Sequence, residues 1–243
     1  MKIKNILQST LPQPLLEQFY ELKYLGLPMP FRAVRPHTML SNVNLFFLQE
    51  LATRVENAGV PGDFVECGVY RGGSAGVLAY EAMRSKWQRR LWLYDSFAGM
   101  PAASDLDDAY SKSIEGQFVG SEAQTRRILQ RLKIPNDRFQ ILVGLIEDTL
   151  PQSQKFPIAL LHIDCDFYNP VKMVLETFYD RVSPGGYVVL NDYGSFQGCR
   201  AATDEFIEVR GLDRQINLIQ IDRDAYFFQT PVAETDRAGE NGN

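Results

Sequence analysis

From residue 63 onward, short apolar runs alternate with stretches whose apolar residues recur every three to four positions. Residues 64–69, 91–94, 139–143, 158–163 and 187–190 read as buried strands. Helical spacing between them predicts one helix through Met83 and another from Ser121, where Gln124 three positions on completes a capping box. A third helix opens at Asn169-Pro170, with Pro in the first turn, and buries Val171, Val174, Leu175, Phe178 and Val182 before Pro184-Gly185-Gly186 breaks it. A fourth spans 202–209. Two last runs, 218–221 and 226–229, flank Asp222-Arg223-Asp224 and predict an antiparallel hairpin. The alternation predicts an α/β fold with a doubly wound, seven-stranded, mostly parallel sheet ending in that hairpin.

The beginning of the chain follows another pattern. Leu15, Leu16, Phe19, Tyr20 and Leu22 predict a short helix, and a Pro-rich loop follows over 27–36. Leu48, Leu51, Ala52 and Val55 keep one face of a second helix that Gly59 and Pro61 end. A polar, acidic insertion covers 102–120, and the polar tail from Thr230 has little to bury and is expected to be disordered. The chain therefore divides into a helical lid and substrate region (1–60), a ligand-binding α/β domain (61–229) and a tail (230–243). The lid and the insertion are expected to line an acceptor pocket, since long loops in compact domains tend to be functional.

Composition narrows the classes. With 243 residues, 45% of them hydrophobic, the chain can bury one sizeable core. A net charge of −5 without a basic stripe argues against nucleic acid as a partner. No apolar stretch reaches the length of a membrane span, and no signal-peptide pattern opens the chain, so a cytoplasmic protein is expected. Cys67, Cys165 and Cys199 lack metal-site spacing and read as small core residues. Self-association through the N-terminal segment is open, with no specific residue pointing to it.

In an open α/β sheet, ligands bind beyond the carboxyl ends of the strands. After the first strand come Glu66, Gly68, Gly72, Gly73 and Ser74, a glycine-rich turn that lets backbone approach a ligand. The spacing is not that of a dinucleotide fingerprint. A carboxylate before the turn would repel a pyrophosphate, yet could accept a hydrogen bond from the ammonium group of an amino acid. Asp95, after the second strand, is placed either for ribose hydroxyls or as a loop cap. Glu147 and Asp148 could reach an adenine amino group or cap the next turn. Asp164 and Asp166 end the fourth strand, and Asn191-Asp192 the fifth. Strand ends about 5 Å apart let these oxygens converge. Hard oxygen ligands without His or Cys favour Mg²⁺; an acidic rim without metal is the alternative. His162 reads as a core histidine, and His37 has no reading of its own.

Four stretches carry a resemblance: GDFVECGVYRGG at 62–73, DSFAGMP at 95–101, HIDCDFY at 162–168 and DYGSFQGCR at 192–200. Together they resemble the macrocin O-methyltransferase family, class I S-adenosylmethionine-dependent enzymes similar to the mycinamicin, tylosin and aminocoumarin sugar O-methyltransferases. The likeness runs from Thr38-Met39 to the final hairpin. It implies Mg²⁺-dependent methyl transfer from S-adenosylmethionine to a hydroxyl, typically of a deoxysugar on a natural product. It places Asp164, Asn191 and Asp192 at the metal and Asp166 as general base, with Asp164 also counted among the catalytic residues. It places Glu66, Gly68, Tyr70, Gly72, Ser74, Asp95, Ser96, Glu147, Asp148 and Asp164 in the cofactor pocket, and Thr38 and Met39 in a loop closing over it. The family usually has paired aspartates where this chain has Asn191-Asp192. An amide oxygen can still ligate Mg²⁺, with lower affinity for want of one charge. A catechol or phenol acceptor, and a non-catalytic binding domain, are the competing readings.

Overall fold

The computed structural model describes residues 26–232. The helix predicted around Leu15 to Leu22, and the tail beyond residue 232, lie outside the described residues.

In chain order the elements are α1 (Phe31–Val34), a 3₁₀ turn (Arg35–His37), α2 (Asn42–Asn57), β1 (Asp63–Cys67), α3 (Gly73–Arg84) and β2 (Leu91–Asp95). Next come α4 (Ala109–Ser113), α5 (Glu122–Arg131), β3 (Phe139–Val143), α6 (Ile146–Thr149), β4 (Ile158–Ile163) and α7 (Tyr168–Phe178). The chain continues through β5 (Val182–Leu190), α8 (Gln197–Val209), β6 (Ile219–Gln220) and β7 (Tyr226–Gln229). The sheet order is β3-β2-β1-β4-β5-β7-β6. The β1 to β5 strands run parallel, and β7 lies antiparallel to both β5 and β6. This is the expected sheet, hairpin included. The order reverses between β1 and β4, which opens a crevice at their carboxyl ends.

Successive strand residues face opposite sides, and the buried residues sort accordingly. Phe64, Leu93, Leu160 and Val189 pack on Leu45, Leu48, Leu51 and Val55 of α2 and on Leu78 of α3. Val65, Trp92, Leu161 and Val188 pack on Val171, Val174 and Phe178 of α7 and on Phe206 of α8. Burying one such Leu, Val or Phe contributes about 1.5–3 kcal/mol. The N-terminal segment therefore shares the core of the sheet instead of resting on it.

Four details differ from the expectations. The stretch 27–36 is not a plain loop, because Phe31, Ala33 and Val34 reach the core as α1, and Pro36 suits the first turn of the 3₁₀ segment. The β1 strand stops at Cys67 because Gly68 turns with φ +89°. Pro184-Gly185-Gly186 lies inside β5: Val182 pairs with Ile158 and Tyr187 with Leu160, so residues 183–186 bulge opposite Ala159. The capping box at α5 is half made, since Ser121 accepts the Gln124 amide at 3.3 Å while Gln124 Oε1 has no partner among the described residues.

The insertion is tied to the scaffold. The Met100 amide donates to the Gln117 carbonyl at 2.8 Å, and the Gly116 amide returns to Met100 at 2.9 Å. Buried Asp107 accepts the Tyr168 amide at 2.9 Å, which fastens the insertion to the start of α7. At the opposite, amino-terminal edge of the strands, fully enclosed Arg89 donates to Glu56 Oε2 at 3.0 Å, to the Val60 carbonyl at 2.7 Å and to the Gly62 carbonyl.

Candidate active site

Beyond the carboxyl ends of β1, β2, β4 and β5 lies a cavity of about 700 Å³. Its floor depends on one close approach. A Cβ on Gly68 would sit 1.9 Å from the Asp164 carbonyl oxygen, so only glycine lets the β1 and β4 ends meet here. Asp164 N donates to the Cys67 carbonyl at 2.8 Å, and Gly68 N to the Tyr94 carbonyl at 2.9 Å. Among non-glycine residues of the wall, Tyr70 (φ +53°) and Asp166 (φ +60°) hold left-handed backbone three residues beyond the ends of β1 and β4, as Phe118 (φ +56°) does in the insertion. Such conformations persist where surrounding structure enforces them.

Most of the expected residues meet at this cavity. Thr38, Met39, Gly68, Tyr70, Ser74, Asp95, Ser96, Glu147, Asp164, Asp166, Asn191 and Asp192 all line it. Asp95 is also a loop cap: one oxygen accepts the Val69 and Tyr70 amides at 2.6 and 2.7 Å, and the other the Phe97 amide at 2.6 Å. The Thr38–Met39 turn is pinned from both sides, with Thr38 Oγ1 accepting the Leu40 amide at 3.1 Å and Arg35 donating to the Leu40 carbonyl at 2.9 Å.

Three expected residues are not on the wall. Gly72 is the N-cap of α3 and packs against Thr125. Asp148 is exposed, because it and Glu147 are adjacent on the single turn of α6, where a 100° step lets only one face the cavity. Glu66 is fully buried beneath the glycine-rich turn, its Oε1 3.0 Å from His162 Nδ1. Burial raises the Glu66 pKa, with the His162 contact working against the rise. Burial lowers that of His162, yet the bond to Glu66 and its charge turn the net shift upward. Glu66 Oε2 makes no hydrogen bond within the described residues.

The acidic groups crowd one another at the ends of β4 and β5. Burial raises the pKa of Asp164, and burial with the neighbouring Asp164 charge pushes that of Asp166 well up. Asp192 rises likewise, through burial and repulsion from Asp166 and Asp164. Asp192 Oδ2 has no partner among the described residues. Asn191 turns its N–H toward the acidic groups. Its Nδ2 donates to Asp164 Oδ1 at 2.7 Å, and its Oδ1 accepts from Asn44 Nδ2. The physical reason is charge: a carboxylate partly removed from water draws the nearest N–H. No group of three or more His, Cys, Asp or Glu side chains among the described residues stands in a metal-binding arrangement.

Asn44 itself was not read as a site residue. The available signal was a polar side chain on the apolar stripe of α2, four positions before Leu48. The turn Asp222-Arg223-Asp224, read only as a hairpin link, also lines the cavity, and Ser41 Oγ donates to Asp222 Oδ2 at 2.6 Å. Tyr110 and Phe118 bring the insertion to the same wall.

With this geometry in place, comparison decides the family. A model of the macrocin-O-methyltransferase (TylF) family matches residues 20–230. The chain belongs to the macrocin-O-methyltransferase family. It is 32% identical over 206 residues to mycinamicin III 3''-O-methyltransferase of Micromonospora griseorubida, covering 79% of this chain and 78% of that protein. It is 32% identical over 202 residues to demethyldecarbamoylnovobiocin O-methyltransferase of Streptomyces niveus, covering 79% and 75%. The solved structure of the O-methyltransferase NovP superimposes with a TM-score of 0.73 at 30% identity, over 81% of this chain and 83% of that one. A more distant O-methyltransferase from Bacillus cereus, solved in complex with SAH, shares the fold at 16% identity and a TM-score of 0.53, over 94% and 96% of the chains. Membership in the macrocin-O-methyltransferase family makes this chain an S-adenosylmethionine-dependent O-methyltransferase.

Proposed function

We propose that this O-methyltransferase acts on a hydroxyl of a sugar or glycosylated natural product, with Asp166 as proton acceptor and Mg²⁺ held by Asp164, Asn191 and Asp192. The observation carrying the reading is the convergence of Asp164, Asp166 and Asp192 at two adjacent strand ends, where loss of solvent raises the pKa of each and acidic neighbours push Asp166 and Asp192 up further. Relatives named for mycinamicin and novobiocin substrates support a sugar acceptor.

S-adenosylmethionine, when bound, supplies an electrophilic sulfonium methyl. Gly68, Tyr70 and Ser74 would border its methionine end, Asp95 and Ser96 its ribose, and Glu147 its adenine. The Thr38–Met39 turn, with Met39 61% exposed, would close over it. The donor set suits a hard cation: the carboxylates repel one another, and Asp192 Oδ2 is buried without a partner. Mg²⁺ there would supply a Lewis acid that lowers the pKa of a bound hydroxyl.

The chain's own residues do the rest. Asp166, held in left-handed backbone beside Asp164, takes the acceptor's hydroxyl proton on its carboxylate. Its raised pKa brings it closer to the operating pH, as general-base catalysis favours. The oxygen–methyl bond forms as the sulfur–methyl bond breaks. The insertion and the Thr38–Met39 turn would cover the cavity and exclude water, while Tyr110 and Phe118 on its wall offer apolar surface to the acceptor.

The test is product analysis by mass spectrometry with S-adenosylmethionine and a panel of deoxysugar-bearing aglycones and catechols, with and without chelator. A methylated glycoside, lost on chelation and restored by Mg²⁺, is expected. Methylation of catechols alone would overturn the acceptor, and full activity of Asp164→Ala in chelator would overturn the metal.

A further inference from the structure

One buried side chain joins α2 to the carboxylates. Ser41 caps α2 by accepting the Asn44 amide at 3.0 Å, and its own hydroxyl is held by Asp222 at 2.6 Å. The first turn of α2 is thus fixed against the hairpin turn, and Asn44, 2% exposed, is delivered to the cavity wall. There Asn44 Nδ2 donates to Asn191 Oδ1, and Asn191 Nδ2 donates to Asp164 Oδ1 at 2.7 Å. Asn44 Oδ1 is buried and has no partner among the described residues.

The two ends of a carboxamide are nearly the same shape, one an acceptor and the other a donor. Two facing amides can therefore exchange roles by a half-turn of each. After that exchange, the orphaned Asn44 oxygen would accept from Asn191 Nδ2, and Asn191 would show its oxygen, not its N–H, to the carboxylates. A leucine of similar size at position 44 could support neither arrangement.

We infer that Asn44 is a positioning residue whose amide turns together with that of Asn191, so that Asn191 gives an N–H to Asp164 without a cation and its oxygen to a divalent cation. This rests on the Mg²⁺ reading given above. It explains how an asparagine serves at a position where a carboxylate would need no orienting: a carboxylate has two equivalent oxygens, whereas an amide must be told which end to present. It also explains why a buried amide oxygen is kept beside an acidic cluster with nothing to bond.

The test is calorimetric titration of metal-stripped protein with MgCl₂ across a double-mutant cycle of Asn44→Leu and Asn191→Asp. The expected result is that Asn44→Leu weakens Mg²⁺ binding on the order of tenfold when Asn191 is present. In the Asn191→Asp background the same substitution changes it by less than about twofold, because no amide remains to be oriented. Equal losses in both backgrounds, or none in either, overturn the inference while leaving the Mg²⁺ reading standing. No Mg²⁺ binding by either the wild-type protein or Asn191→Asp overturns the Mg²⁺ reading and the inference with it. A second measurement does not depend on Asn44→Leu folding. The side-chain amide signals of Asn44 and Asn191 in ¹⁵N-labelled wild-type protein, assigned with Asn44→Asp and Asn191→Asp, should move together as MgCl₂ is added. Movement of the Asn191 signal alone overturns the coupled turn.

Discussion

At the amino-terminal edge of the sheet, Arg89 is fully enclosed, and the groups it points at answer it: Glu56, the Val60 carbonyl and the Gly62 carbonyl. Burial works against the Glu56 carboxylate, but hydrogen bonds from Ser85, the Lys86 amide and Arg89 hold its pKa below the ordinary value. At the carboxyl edge, Asp192 is buried, Asp164 and Asp166 are half-buried on the cavity wall, and the three face one another, with Asn191 Nδ2 donating to Asp164 and Asp192. Both edges bury charge, and the cost of desolvation is similar in kind. The first is compensated, and holds α2, β1 and β2 together. The second is left uncompensated and opens on a cavity, which is how a fold keeps groups ready for a ligand.

The contrast can be broken most directly at Asp166. Asp166→Asn should lower the turnover number by about 10²–10⁴-fold, the usual share of a general base, while unfolding at the same or a higher temperature. Steady-state kinetics beside thermal melts check both halves. The mirror experiment is Arg89→Met, which strands Glu56 and two buried carbonyls. A loss of about 3–5 kcal/mol is expected in denaturant unfolding, without a specific effect on turnover in whatever protein remains folded.

The seam between insertion and scaffold comes next. A Cβ on Gly198 would fall 1.7 Å from Asp107 Oδ1 and 2.7 Å from the Tyr168 amide, so α8 can approach only as glycine. Gly198→Ala should cost about 1–3 kcal/mol and raise KM for the acceptor more than it lowers kcat. At the uncompensated edge, Asp192→Asn should raise the melting temperature in cation-free buffer by about 2–4 °C per kcal/mol of relieved repulsion, while abolishing Mg²⁺-induced stabilisation. A fall in melting temperature there would mean that the carboxylates stabilise the fold.

The smallest effect concerns His37 on the cavity wall, whose pKa is lowered to about 4 by burial and then by the Arg71 charge. The unfolded chain takes up this proton near pH 6.5, whereas the folded protein does so only near pH 4. Its contribution to stability is therefore complete above pH 6.5 and is lost as pH falls from there through 4. His37→Gln should flatten the pH dependence of unfolding in that window, and an unchanged slope would count against a buried neutral imidazole.

Legibility in the sequence followed the range of the interactions. Strand existence was readable because apolar runs such as 158–163 are too short for a buried helix and alternate with stretches of helical spacing. The cavity position was readable because carboxylates and glycines cluster after strands. Strand boundaries were less so: the bulge at Pro184-Gly185-Gly186 depends on where β4 runs beside it. Asn44 was missed because its partner lies 147 residues away, and only its place on an apolar stripe hinted at it. Glu66 was assigned to a ligand from its place before the turn, while the structure gives it to His162, its register partner on β4.

The sequence by itself determined the layered α/β fold, the order of its elements and the family, because periodicity and motif spacing are properties of a chain. Tertiary structure alone decided which end of the Asn191 amide meets Asp164, which of Glu147 and Asp148 faces the cavity, and that Asn44 of α2 reaches Asn191. Those outcomes depend on directions of side chains brought together from distant segments, and direction at a distance is not encoded in any local stretch.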